Sequence, residues 1–171
     1  MEYYNRNADY CMRCGAPMAE KLDREGKPRA ICPDCGWTHY RNPIPAAACV
    51  IFDETGRLLL IKRRFEPKPG EWALPSGYIE MDQTPEQTAV AEMREETGLI
   101  GEVDRFLGYF VGHSPLYETI LSFGFLMRTT GGELCAGDDA AEARYVALDQ
   151  APPVAFASHR HFIGLATGRG R

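Results

Sequence analysis

Beyond residue 43 the chain alternates apolar blocks with segments rich in proline, glycine and charge. AAACVIFD (46–53) and RLLLIKR (57–63) are apolar runs separated by ETG, a pattern that predicts strand, turn and strand. FEPKPGEWALPSGYIE (65–80) is dense in proline and glycine and reads as a loop. LIGEVDRFLGYFVGH (99–113) and YETILSFGFLMR (117–128) are further strands with partial alternation, and ARYVAL (143–148) is a shorter one. FASHRHFIGLAT (156–167) spaces Phe156, His159, Phe162/Ile163 and Ala166 as an amphipathic helix does. A second helix is marked by its ends. Thr84 with Gln87 three residues on forms a capping box, Pro85 suits the first helical position, and Gly98 supplies a stop. The helix is expected over 85–97, with Ala89, Val90, Met93 and Thr97 toward the core. A mixed α/β domain follows.

Residues 1–42 have a different texture. CMRCGAP and CPDCGWTHY frame a polar stretch, so Cys11, Cys14, Cys32 and Cys35 form two C-x2-C knuckles, each followed by glycine. Four thiolates at this spacing suit a closed tetrahedral zinc site, which staples a segment too short for its own core. Four protein ligands leave no open position, so this zinc is expected to be structural. RNPIPAA (41–47) is the expected joint between a ribbon at 1–42 and a domain at 43–171. The remaining cysteines, Cys49 and Cys135, read as buried small residues.

At 171 residues, 44% hydrophobic and 25% charged, the composition is that of a globular protein with no run long enough for a membrane span. No apolar core of a secretory signal is seen near the N-terminus, and a cytoplasmic protein is expected. Residues 1–42 hold 7 Lys and Arg against 6 Asp and Glu, and residues 43–171 hold 12 against 18. Neither segment is the basic surface that nucleic-acid binding draws on. An acidic protein still binds phosphorylated small molecules when divalent cations stand between carboxylates and phosphates.

The second half of the 85–97 helix carries Glu92, Glu95 and Glu96. At about 100° per residue, Glu96 lies about +40° and Glu95 about −60° from Glu92, so all three share a face. Like charges at this spacing destabilise a helix, and they sit near the end where its dipole favours cations. Such local rule-breaking marks functional sites, and converging carboxylates suit Mg²⁺ or Mn²⁺.

The stretch GYIEMDQTPEQTAVAEMREETGL (77–99) resembles the Nudix box, G-x5-E-x7-R-E-U-x-E-E-x-G-U with U apolar. Gly77, Glu92, Met93, Glu95, Glu96, Gly98 and Leu99 match, and Glu80 stands where many members carry an extra acid. With GEWALPSG before the box, GDDAAEARYVALDQAP and AFASHRHFI after it, and CPDCGWTHYRNP leading into the first strand, nearly the whole chain is similar to a zinc-ribbon Nudix hydrolase. The resemblance implies a Nudix α/β/α sandwich with a mixed sheet, preceded by a small zinc ribbon. It implies metal-dependent cleavage of the pyrophosphate bond of a nucleoside diphosphate-linked substrate. Glu95 and Glu96 would be the main Mg²⁺ or Mn²⁺ ligands, Glu92 a further ligand or base, and the backbone at Gly77 would approach the metal closely. Two positions depart from the box: Gln83 replaces its first glutamate and Ala91 its arginine. Losing both keeps the charge balance, and reduced or altered activity is the expected consequence.

Around the box, Arg63 and Arg64 are candidates for phosphate contact, and Glu80 for substrate binding. Asp138, Asp139 and Glu142 are either a source of the general base, alongside Glu92, or an exposed acidic turn. Trp72, Tyr78 and Phe110 are either ring-stacking or core aromatics, and His113 reads as a surface turn. NADH-type members carry SQPWPFP after the box, where this chain has GHSPLYETI. That difference counts against NADH specificity, and the expected substrate is ADP-ribose by preference, or a related dinucleotide such as FAD or NADH. The alternative is a catalytically weak Nudix-fold nucleotide-binding or regulatory module. The expected partner is a small-molecule nucleotide, with nucleic acid disfavoured by the charge distribution and no membrane expected; a homodimer is compatible with the sequence.

Overall fold

The computed structural model describes residues 8–137 and 139–169. It divides into two compact units, one of residues up to Pro43 with His113–Thr119, the other of Ile44–Gly112 with the chain from Ile120 onward. In the first, β1 (Ala19–Leu22), β2 (Pro28–Ile31) and β3 (Thr38–His39) form an antiparallel sheet in that order. Asp23 closes the β1–β2 hairpin by accepting the Glu25 and Lys27 N–H groups. In the knuckles Gly15 and Gly36 donate back to the Cys11 and Cys32 carbonyls from φ of 77° and 73°, a left-handed conformation that glycine adopts without strain.

The second unit holds β4 (Ile44–Ile51), β5 (Leu58–Arg63), β6 (Trp72–Ala73), β7 (Ser76–Tyr78), α1 (Pro85–Thr97), β10 (Ala140–Val146), α2 (Ala157–Ala166) and all but the 113–114 and 118–119 ends of β8 (Leu99–Ser114) and β9 (Glu118–Gly132). The strands form two sheets, β10-β5-β6 and β7-β4-β9-β8, with β4 parallel to β9 and antiparallel to β7. β6 and β7 lie inside the segment expected to be a plain loop. Each is too short for a periodic signal, and only pairing with β5 and β4 creates it.

Strand alternation builds two cores. Ala47, Cys49 and Ile51 of β4, with Leu59 of β5, pack with Ala89 and Met93 of α1. Ala48 and Val50 of β4, with Leu58 and Leu60 of β5, pack with Phe162 of α2. The sheets are therefore covered by a helix on each face, the α/β/α sandwich that was expected, and the strands read as continuous apolar runs because both faces are buried. Among the described residues no helix is long and apolar enough to cross a membrane.

α1 spans the expected residues, with both capping-box bonds and Gly98 at φ 70°. Two expectations fail. Val90 is 37% exposed, because it lies about 60° round the helix from Met93 on the side of Thr97, opposite to the side on which Glu96 is buried. Cys135 is exposed rather than buried, in the segment before β10, while Cys49 is buried and donates to the Ala89 carbonyl.

Candidate functional site

Rotation about α1 grades its three carboxylates. Relative to Met93, Glu96 lies about 60°, Glu92 about 100° and Glu95 about 160° round the helix. Glu96 is accordingly buried, Glu92 half-buried and Glu95 exposed. The first two meet the β7 backbone. Ser76 N–H donates to Glu96 Oε2 at 2.8 Å, and a Cβ built on Gly77 would stand 1.8 Å from Glu92 Oε1. Glycine at 77 is what lets Glu92 approach the backbone this closely. Glu92 packs where any other residue would place a methyl group.

Burial pushes the Glu92 carboxyl up to about 7, aided by the charges of Glu95 and Asp139. Burial also drives Glu96 up to about 8, with the Ser76 N–H and Arg63 opposing it and Glu92 and Asp139 reinforcing it. Among the described residues, no ion pair engages Glu92, Glu95, Glu96 or Asp139. Uncompensated buried carboxylates are costly unless protonated or bound to a cation. Oxygen-only donors, negative charge and backbone room at Gly77 fit a hard divalent ion.

Asp139 is brought to this cluster by its electrostatic reach, while Glu142 lies on β10 and pairs with Arg144 at 3.5 Å. Asp138 lies outside the described residues. Arg63 ends β5; its Nε donates to the Pro67 carbonyl at 2.7 Å and its guanidinium faces the Phe156 ring at 5.3 Å, with its charge felt by Glu96. Arg64 is turned to backbone instead: its N–H donates to the Asp139 carbonyl and Nη2 to the Ala140 carbonyl. It ties the Asp139 loop to β5. Glu80 is exposed, and its carbonyl accepts from Gln83 N–H. The Gln83 side chain accepts from the buried Thr88 hydroxyl at 2.8 Å, so it has a local task at the start of α1. Ala91 is half-buried.

Trp72 lies under the Arg144 guanidinium at 4.3 Å, and Phe110 packs in the α2-side core with His161. Tyr78, beside Gly77, is 41% exposed. Sequence reasoning missed Ser76, whose main-chain N–H carries no residue signal, and His159, whose apolar-face position concealed a polar contact.

Among the described residues, the four ribbon cysteines form the single cluster of three or more metal-ligand atoms all within 4.8 Å of one another. Cys11 and Cys35 sulfurs are 3.6 Å apart and Cys14 and Cys32 sulfurs 3.5 Å. A tetrahedral ZnS4 centre with bonds of about 2.3 Å has S–S edges of about 3.8 Å, so the cluster has the size of a zinc site. The α1 carboxylates are spread wider, with Glu92 and Glu96 on the Gly77 loop and Glu95 at its outer side.

A NUDIX domain model matches residues 42–165, and the Nudix N-terminal zinc-ribbon model matches residues 9–41. This chain belongs to the Nudix hydrolase superfamily, as a zinc-ribbon member. An ADP-ribose pyrophosphatase from Methanocaldococcus jannaschii is 40% identical over 120 residues, 68% of this chain and 69% of that protein. The NAD-capped RNA hydrolase NudC of Pseudomonas aeruginosa is 29% identical over 167 residues, 96% of this chain and 57% of that protein. The Nudix chain thus spans about half the length of the NudC relatives it matches. A Nudix hydrolase from Nitrosomonas europaea superposes with a TM-score of 0.80 at 25% identity, over 95% of this chain and 94% of that one.

Proposed function

We propose that this Nudix protein hydrolyses the pyrophosphate bond of a nucleoside diphosphate-linked small molecule, ADP-ribose or a related dinucleotide such as FAD or NADH. The observation that carries this is the half-buried Glu92 and the buried Glu96, neither in an ion pair among the described residues, packed against the Gly77 loop. Glu92, Glu95 and Glu96 would hold Mg²⁺ or Mn²⁺, which supplies charge neutralisation and polarisation of a phosphorus–oxygen bond. The 40% identity to an ADP-ribose pyrophosphatase supports the substrate preference.

The chain's own groups supply orientation and a proton acceptor. Ser76 N–H fixes one oxygen of Glu96, and the other would be the one offered to a cation. Glu92 is either a further metal ligand or the group that takes a proton from an attacking water; burial and the neighbouring acids raise its proton affinity, which suits the second role. Asp139 raises the affinity of both carboxylates for a proton and is the second candidate base. Arg63, through the positive charge it places near Glu96, is suited to a transferring phosphate. The ribbon, taken as residues 1–42 ahead of a Nudix domain at 43–171, would hold a closed structural zinc.

The test is Mg²⁺- and Mn²⁺-dependent turnover over ADP-ribose, FAD, NADH, CoA, nucleotide sugars and an NAD-capped RNA, beside Glu95→Gln/Glu96→Gln. Turnover of a dinucleotide that the double variant abolishes supports the reading. Absence of metal-dependent turnover above the variant overturns it. Gln83 and Ala91 favour a second reading, a catalytically weak nucleotide-binding module; saturable ADP-ribose binding by calorimetry without cleavage identifies that case.

A further inference from the structure

The chain changes sheets between β6 and β7. Trp72–Ala73 pairs with β5, Ser76–Tyr78 pairs with β4, and Leu74–Pro75 is the crossover. A residue between two ladders has no strand partner for its amide, and Leu74 is fully buried, so water is not available either. α2 supplies the partner. His159, 5% exposed, accepts the Leu74 N–H on Nδ1 at 3.0 Å.

The next residues of this crossover are fixed one by one. The Pro75 carbonyl accepts from Cys49 N–H of β4 at 2.9 Å. Ser76 N–H donates to Glu96 Oε2, and the Gly77 backbone is the surface against which Glu92 packs. His159 therefore stands at the head of a four-residue segment whose last two residues hold the carboxylates. An accepting Nδ1 requires a neutral ring with its proton on Nε2. Burial and the charges of Arg63 and Arg160 hold the imidazole near 3, so it stays a fixed acceptor across the working range. Its ring stands roughly perpendicular to Phe156 with centroids 5.0 Å apart, and the Phe156 ring in turn faces Arg63.

We propose that His159 is a positioning residue for the carboxylate site: by accepting the Leu74 N–H it fixes the sheet crossover, and through it the Ser76 N–H on Glu96 and the Gly77 backbone against Glu92. This rests on reading Glu92 and Glu96 as the metal-binding pair. His159 itself takes no part in proton transfer. It acts across two peptide units on the groups that would touch the metal.

The test compares His159→Asn, whose Oδ1 replaces Nδ1 as the acceptor, with His159→Gln, whose amide reaches the Nε2 position instead, and His159→Leu, which has no acceptor. Two readouts need neither metal nor substrate: hydrogen exchange of the Leu74 and Ser76 amides, and the 15N shifts of the His159 ring in the native protein. Two more follow the consequence: Mn²⁺ affinity by electron paramagnetic resonance, and kcat and KM with the substrate found active. Asn is expected to keep both amides protected and Mn²⁺ affinity within about 3-fold of native. Gln and Leu are expected to lose Ser76 protection and to weaken Mn²⁺ about 10- to 100-fold, the usual scale for an outer-shell partner of a metal site. The loss should fall on kcat, with KM within about 3-fold.

Native-like Ser76 protection and Mn²⁺ affinity in folded Gln and Leu variants would overturn the proposal, as would an Asn variant no better than Gln. If Leu fails to fold, the Asn–Gln pair decides, because both bury an amide and differ in where its oxygen sits. A native protein without turnover would sink the functional reading alone; the metal-free exchange data would still judge His159.

Discussion

Gly77→Ala separates the site from the fold. The added methyl would stand 1.8 Å from Glu92 Oε1 and 2.4 Å from its Cδ, whereas ordinary contact begins near 3.4 Å. The carboxylate must therefore retreat by about 1.6 Å. What it meets decides the cost: the clash is with the free end of a flexible side chain, so Glu92 swings outward at little steric expense. The backbone at 77 is not left-handed, and replacing glycine in such a place stabilises by about 0.4–1 kcal/mol through the unfolded chain. Outward movement also relieves the burial that raises the Glu92 carboxyl to about 7. The metal-free variant should thus melt no lower than the native protein, and somewhat higher above pH 7.

The function should respond in the opposite direction. A displaced Glu92 leaves one fewer oxygen beside Glu96, and Mn²⁺ affinity should fall about 10- to 100-fold, or about 1.4–2.8 kcal/mol. Gly124→Ala is the matched control. Its Cβ would stand 2.3 Å from the ring of Phe162, which is fully buried and has nowhere to go. Overpacking of this kind costs about 1–3 kcal/mol, so Gly124→Ala should lower the melting temperature and leave Mn²⁺ affinity in the folded fraction unchanged. Calorimetric unfolding and Mn²⁺ titration of both variants check the pair. A Gly77→Ala protein that binds Mn²⁺ like the native one would refute the placement of Glu92 at the site.

Three further outcomes are expected. Glu92 and Glu96 titrate higher in the fold than the ordinary glutamate value of 4.5, whereas buried His159 titrates lower than 6.5 and opposes them below that pH. From pH 6.5 to about 8 the two glutamates dominate, and they hold more protons in the native state than in the unfolded one. Metal-free stability should consequently fall as pH rises through that window, with Mg²⁺ flattening the slope; denaturant melts at stepped pH measure this, and a rising slope refutes it. Gln83→Glu/Ala91→Arg should fold, since a glutamate oxygen at 83 can still accept from Thr88, and should raise turnover at limiting Mg²⁺ by about 10-fold if the missing pair weakens the metal site; steady-state assays across Mg²⁺ concentration decide. Cys14→Ala should reduce bound zinc well below one per chain and expose the amides of residues 9–41 to exchange, because four sulfurs at zinc spacing share the load.

The legible parts of this protein share a physical cause. α1 was readable to the residue because Thr84, Pro85, Gln87 and Gly98 each act locally, on their own helix end. The ribbon was readable because ligand spacing is a property of sequence. Burial around α1 was only half readable: the helical wheel puts Glu92, Glu95 and Glu96 on one face, but which edge of that face meets β7 depends on where the sheet lies. That position grades the three acids from buried to exposed and sends Val90 outward.

What stayed hidden is main-chain chemistry between elements distant in sequence. Ser76 reaches Glu96 through its N–H, and His159 reaches Leu74 across 85 positions of chain. Neither bond has a periodicity, and in both one partner is a backbone group that any residue would carry. The departures at Gln83 and Ala91 gain meaning from the same geometry. Gln83 faces Thr88 at the far end of α1 from Glu96, so its exchange from glutamate leaves the Ser76–Gly77 grip on Glu92 and Glu96 in place. The altered box therefore exchanges a Glu–Arg pair for two neutral residues while Glu92 and Glu96 keep their Ser76–Gly77 contacts, and metal affinity rather than folding is where the difference from other Nudix proteins should register.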